Sequence, residues 1–151
     1  MDYSTIDILL VEDNLDDAEL TMRELKRSHL SNNMFHVRDG EEAINFIFTL
    51  NEYEQKREIA CTPKVILLDI NMPKVNGMEV LEKLKADERT KDIPVVILTS
   101  SKESVDIQKC YDLGANSYIA KPVNFDAFTH AIKNVGFYWL LVNEPPIKNL
   151  I

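Results

Sequence analysis

The sequence predicts an α/β domain with a doubly wound, five-stranded parallel sheet. Three runs of four consecutive apolar residues carry this prediction, because such runs are typical of strands buried on both faces of a sheet. These runs cover 8–11, 65–68 and 95–98. A helical pattern follows each run, and an alternation of strand and helix builds a parallel sheet with right-handed crossovers and helices on both faces.

The first two strand–helix units are marked by polar residues. Asp16 and Asp17 come after the first apolar run, and carboxylates are favourable at the positive end of a helix dipole. A short strand is predicted over 35–37, and an Asp-Gly turn leads into a helix over 42–50. We interpret the polar stretch 51–62 as an extended helix end or a solvated surface loop.

The second half of the chain continues the alternation. One helix is predicted after Gly77, and another over 105–113 is closed by Gly114, a residue type that commonly ends helices. A short strand over 118–120 and a long helix over 125–142 complete the set, and two prolines then stop the helix. This last helix ends in Gly-Phe-Tyr-Trp-Leu, and we expect some of these aromatic residues to be exposed because a surface helix buries only one face.

Composition excludes several classes of protein. The 151 residues suit one domain with a sizeable core, and a net charge of −8 without any basic run argues against a nucleic-acid surface. The N-terminus lacks the features of a signal peptide, and no stretch is long enough for a membrane span. Cys61 and Cys110 are expected to be free thiols in a reducing cytoplasm.

Five polar residues lie at the carboxyl ends of predicted strands, the edge at which open α/β sheets bind ligands. They are Glu12 and Asp13 after the first strand, Asp69 after the third, Thr99 at the fourth and Lys121 after the fifth. Each residue alone is better explained as an ordinary polar side chain, but their joint placement argues for a site. Three carboxylates repel one another unless a hard cation lies among them, and oxygen ligands favour Mg²⁺ or Mn²⁺ over zinc.

This set of side chains suits phosphoryl transfer. An aspartate carboxylate can accept a phosphoryl group as an acyl phosphate. A magnesium ion and a lysine neutralise charge on the transferring oxygens, and a threonine hydroxyl can hydrogen-bond the new phosphate.

The chain resembles the receiver domains of two-component response regulators over nearly its whole length. The matching motifs occur in order: Leu-Leu-Val-Glu-Asp-Asn at 9–14, Leu-Leu-Asp-Ile-Asn-Met-Pro at 67–73 followed by Gly77, Val-Ile-Leu-Thr-Ser at 96–100 and Ala-Lys-Pro at 120–122. The resemblance implies a flavodoxin-like (βα)5 fold with strand order 2-1-3-4-5.

The resemblance also implies a phosphoacceptor and a metal site. Asp69 is then the phosphoacceptor and a member of the metal site. Asp13 binds Mg²⁺ directly, Glu12 binds it through water, and the backbone carbonyl of Asn71 completes the protein ligands. Such a protein is a signalling phosphoacceptor that catalyses only its own phosphorylation and dephosphorylation, and we do not class it as an enzyme.

Four further residues acquire roles from the same resemblance. Lys121 pairs with the phosphoryl group, and the bond from Lys121 to Pro122 is expected to be cis. Thr99 and Tyr118 form the switch: Thr99 turns toward the phosphate, and Tyr118 swings inward behind it. Ser100 is larger than the alanine or glycine often found after the switch threonine, which could narrow access to the phosphate.

Within the family, the chain is most similar to small single-domain regulators that work with phytochrome-type histidine kinases. The polar insert 51–62 and the aromatic end of the last helix carry this similarity. We therefore expect a receiver domain over 1–143, a short tail over 144–151 and no effector domain. The expected partners are a sensor histidine kinase and a second copy of the chain, bound through the fourth helix, fifth strand and fifth helix, with no nucleic-acid or membrane partner.

Three alternatives come from other classes. A phosphatase of the haloacid dehalogenase type needs a second acid two residues after its aspartate, where this chain has Asn71. A flavin carrier needs a glycine- and hydroxyl-rich phosphate loop after the first strand, where Glu12 and Asp13 would repel phosphate. A receiver-like binding module that is never phosphorylated is the third alternative; the intact site residues argue against it, and experiment has to decide.

Overall fold

A five-stranded parallel sheet lies at the centre of the computed structural model, which describes residues 2–30, 33–72 and 74–146. The strand order is β2-β1-β3-β4-β5, which confirms the predicted topology. Pro73 of the predicted motif and residues 147–151 of the predicted tail lie outside the described residues. The strands are β1 (Ile8–Val11), β2 (Met34–Val37), β3 (Val65–Leu68), β4 (Val95–Thr99) and β5 (Ser117–Ala120).

Five α-helices alternate with the strands. Four of them begin at an Asn or Asp whose side chain accepts a hydrogen bond from the backbone N–H three residues later, which satisfies one of the free donors of the first turn. These capping residues are Asn14, Asp39, Asn76 and Asn124. The helices are α1 (Leu15–Arg27), α2 (Gly40–Ile47), α3 (Gly77–Ala86), α4 (Ser104–Asp112) and α5 (Phe125–Phe137).

The core has two layers because successive strand residues point to opposite faces of the sheet. Leu9 and Ile66 face the layer formed with α2, α3 and α4, whereas Leu10 and Leu67 face the layer formed with α1 and α5. All four side chains are at most 3% exposed. This double burial explains why the strands are continuous apolar runs and do not alternate with polar residues.

Two helices end earlier than their apolar patterns predict. Helix α2 stops at Ile47 because Thr49 adopts a left-handed backbone with φ 55°, and the Leu50 N–H donates to the Asn45 carbonyl at 2.8 Å. Helix α5 stops at Phe137 and continues into a wider π-helical turn over Tyr138–Val142. In that region Phe137 is 52% exposed while Trp139 packs on the α1–α5 layer, so the expected partial exposure of the aromatic end is confirmed.

The insert 51–62 lies on the surface with most of its residues exposed, as predicted, but two buried side chains anchor it to the domain. The insert begins with a 3₁₀ turn over Asn51–Tyr53, and the Tyr53 ring is 5% exposed. Tyr53 meets Phe46 edge-to-face at 5.2 Å, within a cluster that also contains Tyr3 and Phe35. The polar sequence of the insert did not indicate this anchoring, because a single tyrosine buried among aromatic rings holds a segment that is otherwise polar.

Arg57 secures the same insert to the end of α2. Its guanidinium donates to the carbonyls of Phe46 at 2.6 Å, Ile47 at 2.9 Å and Cys61 at 2.6 Å, and it lies 4.5 Å from the centre of the Phe46 ring. These carbonyls include two at the end of α2 that have no partner within the helix. Arg57 is 7% exposed, and burial lowers the pKa of its guanidinium.

Both cysteines are free thiols, as predicted. Cys110 is buried in the layer beneath α4, and this burial raises the pKa of its thiol to about 11. None of the helices in the described part of the chain is long and apolar enough to cross a lipid bilayer.

We predict that Arg57→Met lowers the free energy of unfolding by about 2–3 kcal/mol, since it removes charge-assisted hydrogen bonds and leaves buried carbonyls unpaired. Urea denaturation measures the change. Lys56→Met, at an exposed neighbouring position, is the matched control and should stay within about 0.5 kcal/mol of the unsubstituted chain. Equal effects of the two substitutions would contradict the assigned role of Arg57.

Candidate functional site

Three carboxylates meet at the carboxyl edge of the sheet. Glu12 and Asp69 directly follow the paired strands β1 and β3, and Asp13 is the next residue after Glu12. One oxygen from each of these three side chains lies within 4.8 Å of the other two. Glu12 is 2% exposed and Asp69 is 6% exposed, whereas Asp13 is open to solvent. The predicted convergence of the acidic residues is confirmed.

The start of α3 positions the backbone that carries Asp69. A Cβ atom added to Gly77 would lie 2.2 Å from the Asp69 carbonyl oxygen and 2.6 Å from the Ile70 Cα. Because real Cβ atoms do not approach backbone this closely, only glycine allows α3 to begin directly against the loop after β3. The Gly77 N–H also donates to the Ile70 carbonyl at 3.2 Å.

Two neutral donors hold one oxygen of the Asp69 carboxylate. The Thr99 hydroxyl, at the end of β4, donates to Asp69 Oδ1 at 2.8 Å, and the backbone N–H of Asn71 donates to the same atom at 3.0 Å. Thr99 is fully buried, so its hydroxyl has a fixed position beside the carboxylate. The Asn71 side-chain amide in turn lies 3.5 Å from the Thr99 hydroxyl.

Lys121, directly after β5, brings a positive charge to the acidic cluster. Its ammonium nitrogen lies 2.5 Å from Glu12 Oε1, 2.9 Å from Asp17 Oδ2 and 3.6 Å from Asp69 Oδ2. The Lys121 side chain is only 9% exposed, so these contacts take the place of water. The contact with Asp69 is the longest of the three.

The electrostatics of the cluster follow from burial and from these neighbours. Burial, together with the nearby Asp69 carboxylate, raises the pKa of Glu12 well above its usual range despite the opposing effect of Lys121. Burial opposes the charged form of Lys121, but hydrogen bonds to Glu12 and Asp17 outweigh that effect, so the pKa of Lys121 is raised. Three carboxyl groups therefore share one ammonium at this site.

The two predicted switch residues are connected to the loop after β4. Tyr118, on β5, is half-buried, and its hydroxyl donates to the Ser101 carbonyl at 3.0 Å. Thr99 starts the same loop and already contacts Asp69. The switch roles of Thr99 and Tyr118 stay a prediction. Ser100, whose size was expected to narrow access to the phosphate, is exposed.

Sequence analysis missed two residues that contact the site. It assigned Asp17 only to the helix dipole, yet Asp17 binds Lys121. His36 was not among the residues that the sequence indicated, and its ring N–H donates to the Glu12 carbonyl at 2.7 Å from the edge strand β2. The position of Asp17, one helical turn after Asp13, is the signal in the sequence that could have identified it. No local pattern identifies the partner of His36, because His36 lies on β2 and Glu12 follows the neighbouring strand β1.

The expected cis bond between Lys121 and Pro122 is not present, and no peptide bond among residues 2–30, 33–72 and 74–146 is cis. The trans form is intrinsically favoured by about 0.5–1 kcal/mol even before proline. Lys121 reaches its carboxylate partners in this trans form.

The donor set fits a hard divalent cation. The three clustered carboxylates provide oxygen ligands with excess negative charge, and no cysteine or histidine joins the group found within the described residues. A cleft of about 410 Å³ borders Asp13 and Asn71, so the cluster is accessible from solvent. Glu12, Asp13 and Asp69 would hold the ion; the predicted contribution of the Asn71 carbonyl stays a prediction.

Comparison with known proteins identifies the family. The family model described as "response regulator receiver domain" matches residues 8–133, which include all the site residues above. The chain belongs to this family. The resemblance predicted from the motifs is therefore confirmed.

Related receiver proteins are similar over most of their length. The chain is 37% identical to the response regulator Rcp1 of Synechocystis over 133 residues, 88% of each protein. It is also 37% identical to the probable methanogenesis regulatory protein FilR2 of Methanothrix harundinacea over 139 residues, covering 92% of this chain and 86% of FilR2. The predicted similarity to phytochrome-associated regulators is confirmed by the solved structure of RcpA, described below.

Two solved structures superpose closely on this receiver. The phosphorylated cyanobacterial phytochrome response regulator RcpA has a TM-score of 0.85 and 38% identity, with coverage of 93% of this chain and 97% of RcpA. The Mn²⁺-bound form of Rcp1 has a TM-score of 0.85 and 36% identity, with coverage of 93% and 98%. A metal-bound relative of this similarity agrees with the chemistry of the acidic cluster.

We predict that Asp13→Asn weakens Mn²⁺ binding at least about ten-fold, because it removes the charge of an accessible ligand. The electron paramagnetic resonance signal of free Mn²⁺ measures the affinity. Asp16→Asn changes the net charge equally on an exposed residue outside the cluster and should bind Mn²⁺ like the unsubstituted chain. Similar affinities in both variants would place the ion elsewhere.

Proposed function

We propose that this protein is a stand-alone response regulator whose Asp69 accepts a phosphoryl group from a sensor histidine kinase in a Mg²⁺-dependent reaction. One observation carries the proposal: the Asp69 carboxylate lies beside a buried hydroxyl, a buried ammonium and two further carboxylates. Isolated acidic residues at strand ends are common, but this combination supplies a nucleophile together with the groups that stabilise a phosphoryl group.

The geometry favours Asp69 Oδ2 as the nucleophile. Oδ1 already accepts hydrogen bonds from Thr99 and from the Asn71 backbone, whereas Oδ2 faces the Lys121 ammonium at 3.6 Å. Attack of Oδ2 on the phosphorus of a phosphohistidine forms an acyl phosphate and breaks the bond between phosphorus and the histidine nitrogen. The imidazole leaves with its electron pair and takes up a proton.

The chain's own residues orient this reaction. Glu12, Asp13 and Asp69 would hold a Mg²⁺ ion, which would supply positive charge to the transferring oxygens. Thr99 donates its hydroxyl proton toward the new phosphoryl group, and Lys121 pairs with one of the phosphoryl oxygens. Asn71 keeps the carboxylate oriented through its backbone N–H.

We propose that signalling works by a population shift of the surface formed by α4, β5 and α5. The hydrogen bond from Tyr118 to the Ser101 carbonyl links β5 to the loop that directly follows Thr99. Contacts of the phosphoryl group with Thr99 and Lys121 then supply the free-energy difference between the two arrangements of this loop. Output is a protein–protein contact, in keeping with the acidic net charge of −8.

The kinase partner we propose is of the phytochrome type, and the place of action is the cytoplasm. The similarity to RcpA, a cyanobacterial phytochrome response regulator, supports the partner. The receiver catalyses only its own phosphorylation and dephosphorylation, because the phosphoryl group is gained and lost at its own Asp69.

We predict that acetyl phosphate with Mg²⁺ adds one phosphoryl group to the chain, because the cluster assembles both the acceptor and its charge-stabilising groups. Intact-mass spectrometry detects the gain. Asp69→Asn and a chelator should each abolish it, while Asp92→Asn, an exposed acid far along the chain from the cluster, should retain it.

A lack of labelling under conditions that label another receiver would contradict the proposed function. In that case a binding module that acts without phosphorylation would become the better description. Labelling that persists in Asp69→Asn would instead contradict the assignment of the acceptor.

We also propose a homodimer formed through α4, β5 and α5. Large apolar side chains at this end of the chain are exposed, including Phe137 at 52% and Leu141 at 65%. Val105 and Tyr111 on α4 are exposed at 75% and 46%. Exposed aromatic and aliphatic side chains in such numbers favour an interface.

We predict that size-exclusion chromatography with light scattering finds a dimer, and that the double substitution Phe137→Ser with Leu141→Ser shifts it to monomer by removing apolar contact area. Leu15→Ser, at a 56% exposed position on α1, is the control and should leave the dimer intact. A monomer at every concentration, phosphorylated or not, would rule out the dimer.

A further inference from the structure

The ammonium of Lys121 is shared among three carboxylates, and the two nearer ones are not the phosphoacceptor. Glu12 and Asp17 lie at 2.5 and 2.9 Å, whereas Asp69 lies at 3.6 Å. Glu12 belongs to the cluster that fits a cation. Asp17 is not part of that cluster among the described residues, so its contact with Lys121 has no role in the proposed function.

Helix α1 holds Asp17 in this position. The Asp17 backbone N–H donates to the capping side chain of Asn14 at 3.0 Å, and its carbonyl accepts from the Thr21 hydroxyl at 2.7 Å. The carboxylate projects from the first turn of α1 to Lys121 and is 30% exposed. Asp16 is also in this first turn, but it is exposed and is not among the ion-pair partners of Lys121 in the described part of the chain.

We propose that Asp17 is a positioning residue that draws the Lys121 ammonium away from the phosphoryl site and thereby weakens the hold of the receiver on its phosphoryl group. The inference rests on the proposed function, because it assigns a regulatory role at the same site. It follows from competition: an ammonium bound to a carboxylate has to leave or share that contact before it can pair fully with a phosphoryl oxygen.

The competition has a definite sign. The binding free energy of a ligand reflects only the difference between the contacts it makes and the contacts it displaces. With Asp17 present, the pairing of Lys121 with a phosphoryl oxygen is reduced by the loss of the contact between Lys121 and Asp17. Removal of the Asp17 charge removes this competitor, so a phosphoryl group or its analogue binds more tightly.

The test uses beryllofluoride, an analogue of the phosphoryl group, titrated into the full chain with saturating Mg²⁺ and followed by ¹⁹F NMR. Asp17→Asn is expected to raise the affinity roughly two- to five-fold, the upper part of the range for one partly exposed ion pair. Asp17→Glu keeps the charge and should return the affinity to that of the unsubstituted chain. Asp16→Asn removes the same charge one residue away and should change the affinity less than about two-fold.

A double-mutant cycle separates positioning from a simple loss of negative charge. In a Lys121→Met background, Asp17→Asn should no longer change the affinity, because the shared ammonium is absent. An equal gain in that background would overturn the positioning role. Asp17→Thr serves as a second neutral variant if Asp17→Asn fails to fold by circular dichroism, since threonine is also tolerated near a helix start.

The outcomes distinguish the two levels of the proposal. If the unsubstituted chain binds beryllofluoride and accepts phosphate but Asp17→Asn leaves the affinity unchanged or lowers it, the role of Asp17 is refuted and the proposed function stays intact. If the unsubstituted chain neither binds beryllofluoride nor gains a phosphoryl group, the proposed function fails, and the role of Asp17 fails with it.

Discussion

The structure depends on one electrostatic constraint, which is the crowding of carboxylates around a single buried ammonium. Glu12 and Asp69 are nearly inaccessible to water, and Lys121 is the positive group that reaches both of them. Burying several carboxylates with one counter-charge is unfavourable. The site is therefore suited to a divalent cation, which would offset the excess negative charge.

The fold creates this crowding through its topology. Strands β1, β3 and β4 are adjacent and parallel, so the residues that follow them emerge at the same edge. Gly77 lets α3 begin against the Asp69 backbone, where any side chain would collide with it. The capping residue Asn14 begins α1 at the point that places Asp17 beside Lys121. Apolar layers pack on both faces of the sheet behind this edge.

Away from the site, two polar or aromatic segments are organised by a few side chains. Arg57 joins the polar insert to the end of α2 through carbonyl contacts, and Tyr53 inserts into a ring cluster. At the end of α5, a π-helical turn keeps Trp139 on the core while Phe137 is left exposed. These features stabilise the scaffold and leave apolar side chains exposed at the end of α5.

The sequence by itself determined the strand positions, the parallel topology and the convergence of Glu12, Asp13, Asp69, Thr99 and Lys121, because buried runs and parallel strand ends follow directly from local patterns. Only the tertiary structure decided how Lys121 divides its contacts, that Asp17 and His36 touch the site, and that the insert is packed. These depend on distances between residues remote in the chain. No local periodicity encodes them, since each arises from side chains on different elements that meet only after folding.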